Sequence, residues 1–204
     1  MNPIEIRQYQ TAGGRIPFSE WFAALGDRQA ITTIAARLTR MQSGNRGDWK
    51  SVGAGVIELR MDAGPGYRVY CGKMAQSWYC CCVAATNGPK RKTSSAHMNT
   101  GKTTRHAASV PFHLADHLEA DDIPGYLAGV IHDGDTRALP LALREAAEVL
   151  GMAELSRRTG LNRETLYRTL SERGNPRLDT LATILDAFGL RLAVEPLRGK
   201  RRVA

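Results

Sequence analysis

Several features that mark common protein classes are missing from this 204-residue sequence. No apolar run approaches the roughly 20 residues needed to span a membrane, and the N-terminus has no apolar signal core, so we expect a cytoplasmic protein. Cysteine occurs only at Cys71 and at Cys80, Cys81 and Cys82, and no Cys-x-x-Cys or Cys/His ligand spacing exists. Because adjacent strand residues point to opposite faces, three consecutive cysteines do not converge on one ion. We therefore expect no metal site and no cofactor.

Acidic residues are absent from residues 74–108, although the whole chain carries 20 Asp+Glu against 28 Lys+Arg. Residues 1–73 carry 10 basic and 6 acidic residues, and residues 109–204 carry 13 and 14. A basic excess supplied mainly by arginine favours a phosphate-bearing partner. The middle segment is rich in Thr, Ser, Asn, Gly, Lys and Arg without periodicity, which is typical of a basic linker over residues 83–108.

The first 73 residues have the pattern of a small α+β domain. Alternating apolar residues predict a strand within residues 1–10, and apolar residues at helical spacing predict one helix from Pro17 and another over residues 27–41. A turn cluster at residues 44–48 follows, and two further strands are predicted at residues 56–61 and 67–70.

Residues 139–150, 152–159, 162–171 and 178–188 predict four helices separated by short turns. Between the second and third, Gly160 supplies the left-handed backbone that a tight turn needs, and Asn162 stands at the N-cap position. Leu155, Leu161, Leu166 and Leu170 are predicted to face a shared core. This pattern favours a helix-turn-helix over the alternative, an ordinary helical hairpin in a bundle.

The continuation Asn175-Pro176-Arg177-Leu178-Asp179-Thr180-Leu181 makes the segment resemble the Cro/phage-repressor family. Met152 to Leu190 is similar to the antitoxins of HigA-like addiction modules. The resemblance implies a dimeric DNA-binding repressor, with half-sites roughly 34–36 Å apart. The candidate DNA-binding residues lie at the start of the second helix of the motif: Asn162, Arg163, Glu164, Thr165, Tyr167 and Arg168.

Residues 1–73 resemble HigB-like toxins of the RelE/ParE superfamily. The matching stretches include Val52-Gly53-x-Gly55-Val56-x-Glu58-Leu59-Arg60 and Gly64-Pro65-Gly66-Tyr67-Arg68-Val69-Tyr70. The resemblance implies a ribosome-dependent, metal-independent mRNA endonuclease, in which cations hold the scissile phosphate. Arg60 and Arg68 occupy the family's basic positions, with Lys50 just before them, and these three are the candidate catalytic residues. The alternative is that they are solvated strand residues.

The chain departs from the toxin pattern after residue 74, where the family has an apolar strand ending in Gly-Gly-Asp-Lys and then a helix. Read from the third base of each codon, Trp78-Tyr79-Cys80-Cys81-Cys82 encodes only Val-Leu-Leu-Leu, and the codons that follow permit Cys-Gly-Gly-Asp-Lys. We therefore hypothesise that a single-base frameshift joined a toxin reading frame to a downstream antitoxin frame. The toxin sheet is expected to have a bare edge and an incomplete core unless residues 79–83 add a strand.

The sequence thus predicts an α+β fold in which a RelE/ParE-like domain precedes an all-α helix-turn-helix domain. The expected parts are an incomplete toxin domain (1–82), the linker (83–108), an antitoxin N-terminal region that contacts the toxin (109–138), the helix-turn-helix domain (139–195) and a basic tail (196–204). The leading interpretation is a homodimeric antitoxin and autorepressor that binds operator DNA and carries an inactive toxin remnant. The alternatives are an endonuclease toxin neutralised in cis and a non-functional product whose C-terminal domain alone folds. A cognate toxin, or the ribosome with mRNA, is a further expected partner.

Overall fold

A computed structural model describes residues 4–53, 55–61, 66–74, 77–82, 108–132, 134, 136–171 and 174–194. We call the described residues up to 82 the N-terminal half, and those from 108 onward the C-terminal half. The predicted linker, apart from Ala108, and the predicted basic tail lie outside the described residues. Among the described residues, no helix has the length and apolar character that crossing a bilayer requires.

The N-terminal half is a mixed layer of strands and two helices. Helix α1 begins with Pro17, whose missing N–H costs nothing at a helix start. Helix α2 begins after Asp27, whose carboxylate accepts a hydrogen bond from the Ala30 N–H at 3.1 Å. The elements in chain order are β1 (Glu5–Tyr9), α1 (Pro17–Ala23), α2 (Arg28–Gln42), β2 (Trp49–Gly53), β3 (Val56–Met61), β4 (Tyr67–Met74) and β5 (Ser77–Cys82).

The strands form one sheet in the order β2-β3-β4-β5-β1-β6, where β6 is Ser109–Pro111 from the C-terminal half. β1 pairs in parallel with β5, and the other pairings are antiparallel. The bare edge is therefore avoided, as expected if residues 79–83 add a strand, because β5 lies between β4 and β1. The chain after residue 76 still forms a strand there, and β6 covers the opposite side of β1, so both sides of β1 are hydrogen-bonded.

The C-terminal half is helical after β6. Three short 3₁₀ turns, at Leu114–Asp116, Ala120–Asp122 and Thr136–Ala138, link the longer elements. Gly151, with a φ of 86°, separates two of the helices by a sharp turn. The helices are α3 (Ile123–Ile131), α4 (Leu139–Leu150), α5 (Met152–Thr159), α6 (Arg163–Thr169) and α7 (Leu178–Ala187).

One continuous apolar core runs through both halves. Helices α1 and α2 pack on the sheet face that carries Leu59 and Val69, and α3 packs on α2 from the other side. Helix α4 then links α3 to the remaining helices. The mixture of helix and sheet agrees with the predicted α+β class. The helices predicted in both halves are confirmed to within a few residues, whereas β2 and β6 were not predicted.

Candidate nucleic-acid interface

The turn between α5 and α6 has the local geometry that the sequence predicts. Gly160 adopts a φ of 70°, and an added Cβ there would meet nothing within 4 Å, so glycine serves the backbone conformation. The Ser156 hydroxyl donates a hydrogen bond to the Leu161 carbonyl at 2.6 Å. The Thr159 hydroxyl accepts one from the Leu161 N–H at 3.2 Å. This bond gives Thr159 a structural role in the turn.

The apolar side of the motif is buried as predicted. Leu155 and Leu166 are fully buried and Leu170 nearly so, while Leu161 packs at the margin of the core. Ile184 and Phe188, from α7 and its end, complete the same cluster. Helices α5, α6 and α7 therefore form one unit that holds α6 in a fixed orientation.

The exposed side of α6 carries most of the candidate DNA-binding residues. Arg163, Glu164, Tyr167 and Arg168 are exposed, with 60% of Tyr167 accessible to solvent. The Asn162 carboxamide oxygen accepts a hydrogen bond from the Thr165 N–H at 2.7 Å, so this side chain caps the helix. Thr165 itself is half-buried. Of the exposed residues, Arg163 and Arg168 carry a positive charge and Tyr167 carries a hydroxyl. They lie near the N-terminus of the helix, which favours anions.

The helix before the turn carries a compact ion-pair group. Glu154 accepts hydrogen bonds from Arg157 at 2.8 Å and from Arg158 at 2.7 Å. These bonds lower the pKa of Glu154 to about 2. Arg158 also donates to the Ala187 carbonyl at 3.2 Å, which ties α5 to the end of α7. These arginines consequently hold neighbouring elements together at the surface.

A second basic cluster lies on the sheet face opposite α1 and α2. Arg60 and Arg68 are directly opposite each other on β3 and β4, and Lys50 on β2 is opposite Glu58 on β3. The structure thus brings the three candidate catalytic residues to one face, because residues two apart on a strand share a face. Sequence reasoning alone did not settle this placement.

Glu58 joins this cluster, and it was missed as a candidate. Its side chain is nearly buried and accepts hydrogen bonds from Arg60 at 2.8 Å, Tyr70 at 2.9 Å and Arg68 at 3.3 Å. Burial raises the pKa of Glu58, but these bonds and the arginine charges outweigh it, so the pKa lies below its ordinary value. The strand alternation, which places residues 58 and 60 on one face, was the sequence feature that could have identified Glu58 as a member of the cluster.

The contact between the halves contains a buried polar group that the sequence also did not reveal. Tyr126 on α3 donates a hydrogen bond to Glu145 Oε2 on α4 at 2.5 Å, and Thr39 on α2 donates to the same oxygen at 3.0 Å. Tyr126 is fully buried and Thr39 nearly so. Burial raises the pKa of Glu145, although the two hydroxyl donors oppose the shift. We call Thr39, Tyr126 and Glu145 the hydroxyl–carboxylate cluster.

Neither basic cluster offers a set of metal ligands. Within the ranges that the structure describes, no group of three or more His, Cys, Asp or Glu side chains converges as metal ligands do. Between them, the two clusters present arginine, lysine and tyrosine side chains, which bind phosphate through charge and hydrogen bonds.

Comparison with known proteins identifies the C-terminal half. Residues 108–196 match the family described as "probable addiction module antidote protein". An uncharacterized protein of Haemophilus influenzae is 31% identical to the chain over 88 residues, which are 43% of this chain and 91% of that protein. Through residues 108–196, the chain belongs to this antidote family.

A further uncharacterized protein of Haemophilus influenzae is 49% identical over 55 residues, which are 27% of this chain. The chain spans 56% of the length of that relative. No solved structure gives a significant match. The helix-turn-helix lies inside the matched region.

Proposed function

We propose that this antidote-family chain is a DNA-binding antitoxin and autorepressor of a type II toxin–antitoxin module, acting in the cytoplasm. The observation that carries the proposal is the capped, outward-facing α6, with Arg163, Tyr167 and Arg168 exposed at one end of a rigid three-helix unit. Helices presented in this way enter the major groove with their N-terminal residues at the base edges. Phosphate contacts by arginine then position the protein on the duplex.

Oligomeric state and domain organisation complete the proposal. We expect a homodimer on a palindromic operator, with half-sites roughly 34–36 Å apart. We retain the division into a toxin-like part, a linker, an antitoxin N-terminal region, a helix-turn-helix domain and a basic tail. The toxin-like part is a remnant produced by a frameshift. If the gene holds no shifted frame for Val-Leu-Leu-Leu-Cys-Gly-Gly-Asp-Lys, the frameshift is ruled out.

A mobility-shift assay on the DNA upstream of the gene, with scrambled DNA as competitor, tests the central proposal. Arg163→Ala should weaken specific binding by about 1–3 kcal/mol if Arg163 contacts a base. Arg15→Ala is the matched control, because it removes the same charge from an exposed site in the N-terminal half. A folded protein that shows no specific retention even at low salt would refute the proposal.

A second candidate is a ribosome-dependent mRNA endonuclease neutralised in cis. It is supported by Lys50, Arg60 and Arg68 on one sheet face, where they would hold a phosphate. Glu58 counts against it, because its carboxylate already accepts hydrogen bonds from both arginines. Cleavage of ribosome-bound mRNA by the full chain, lost in Arg60→Ala and unaffected by Arg15→Ala, would establish this activity. We expect no cleavage.

A further inference from the structure

The contact between α2 and α3 is unusually close because α3 presents glycines to it. A Cβ added at Gly129 would lie 3.0 Å from the Cβ of Ala36, and one added at Gly125 would lie 3.8 Å from the Cβ of Thr32. At the first distance there is no room for a further methyl group. The surface formed by α3 and α4 therefore accepts a helix with small residues four positions apart, as Thr32 and Ala36 are.

Polar contacts on either side of this packing recognise particular side chains of α2. Glu145 and Tyr126 require a hydroxyl at position 39, since without it the carboxylate loses one of its two donors. At the other end, Arg28 donates from Nε to Asp122 at 3.0 Å and pairs with Glu119 at 3.3 Å. The surface of α3 and α4, together with the turn that precedes α3, thus contacts one cation, two small residues and one hydroxyl along α2.

An aromatic cluster and a strand pairing add to the same contact. Phe112 packs edge-on against Phe18 with ring centroids 5.6 Å apart, and His117 packs edge-on against Phe22 at 5.1 Å. β6 also pairs with β1. The C-terminal half thus engages its own N-terminal half through strand, ring and helix contacts. Among the described residues, the N-terminal partners in these contacts lie on α1, α2 and β1, away from the basic sheet face.

We infer that the surface of α3 and α4 is the toxin-recognition surface of this antitoxin, and that α2 of the same chain occupies it and closes it to toxins in trans. The inference rests on the antitoxin role proposed above. Tethering makes the contact intramolecular, with an effective concentration that is on the order of 1 mM for short linkers and falls with linker length. A separate toxin-like partner of equal affinity at about 10 µM is then outcompeted by at least about tenfold.

Disulfide trapping in the full chain tests both parts of the inference. Thr32→Cys and Gly125→Cys place their Cβ atoms 3.8 Å apart, which is near the mean for disulfides. In one chain, the two substitutions should form an intramolecular bond, identified by peptide mapping so that native cysteines do not interfere. Thr33→Cys with Gly125→Cys is the matched control, since Thr33 is the next residue on α2, lies about 100° further around the helix, and is half-buried where Thr32 is buried.

The trans arm mixes a Thr32→Cys chain with a Gly125→Cys chain, each at about 10 µM. We expect at least tenfold less crosslink than in the double variant, from the effective-concentration argument. Equal crosslinking in cis and trans would overturn the closure to partners. Absence of the cis crosslink would overturn the recognition surface itself.

Opening the surface should allow capture in trans. A recipient with Gly125→Cys and Ala36→Leu excludes its own α2 by a clash with Gly129, and should crosslink to a Thr32→Cys chain in which Gly129→Leu likewise releases α2 from its own surface. If that recipient does not fold, Arg28→Glu replaces Ala36→Leu, because it acts at a half-exposed side chain by repelling Asp122 and Glu119. Failure of both recipients to capture the Thr32→Cys chain would refute recognition. None of these results depends on operator binding, so failure of the DNA proposal is separately detectable.

Discussion

At the scale of single residues, the missing side chain of Gly129 sets how close α3 lies to α2. Gly129→Ala should lower the free energy of unfolding by about 1–3 kcal/mol, the usual cost of overpacking. Gly125→Ala is the matched control. Its Cβ would have ordinary contacts with Thr32, nearest at 3.6 Å, so the higher helix propensity of alanine should raise the free energy of unfolding by about 0.5–1 kcal/mol. Urea unfolding of the full chain measures both.

A second substitution distinguishes the clash from a general loss of stability. Ala36→Gly removes the methyl group that Gly129→Ala would meet, so the double variant should lose less stability than the sum of the two single losses. Simple addition of the two single losses, with no recovery, would contradict the close contact between these positions.

The buried carboxyl of Glu145 predicts a pH dependence. Its pKa in the folded chain is raised, so its contribution to stability is complete below the unfolded pKa and is lost as pH rises through the folded pKa. Arg144, Glu148 and the Tyr126 hydroxyl also act on this carboxyl. Relative to Glu145→Gln, which keeps the acceptor oxygen without the charge, the wild-type chain should become less stable as pH rises above about 4.5. Parallel thermal melts from pH 4 to 8 measure the difference, and a constant offset would exclude the titration.

At the scale of elements, α6 depends on its N-cap. Asn162→Ala removes the acceptor of the Thr165 N–H and should destabilise the helix-turn-helix by about 1 kcal/mol. Asn162→Ser keeps a side-chain oxygen and should lose little. Thermal denaturation monitored by far-ultraviolet circular dichroism makes the comparison. Equal losses in both variants would show that the cap contributes nothing.

Element prediction succeeded where the signals are local. Gly160, Asn162 and the spacing of Leu155, Leu166 and Leu170 determine α5 and α6 within the 16 residues from 155 to 170. β6 was missed because three residues have no periodicity, and only pairing with β1 makes them a strand. β2 was missed because all its residues are exposed and show no apolar alternation.

At the scale of the whole molecule, the shared core predicts that both halves unfold together. All three tryptophans, Trp21, Trp49 and Trp78, lie before residue 83, so their fluorescence reports on the N-terminal half. Leu155→Ala, in the helix-turn-helix, should cost about 2–5 kcal/mol and should shift the tryptophan-monitored transition as well. A tryptophan transition that stays unchanged while the helical signal melts earlier would show two independent units.

The sequence by itself determined the elements with local signatures, the α+β class, the antidote-like C-terminal part and the candidate residues of α6. Caps, turn glycines and periodicity act over a few residues, so one chain is enough to read them. The tertiary structure decided which distant groups meet. Thr39 lies 106 residues from Glu145 and Arg28 lies 94 from Asp122, and Arg60 faces Arg68 beside Glu58. Such contacts depend on how layers pack, and no local pattern of residue types specifies that packing.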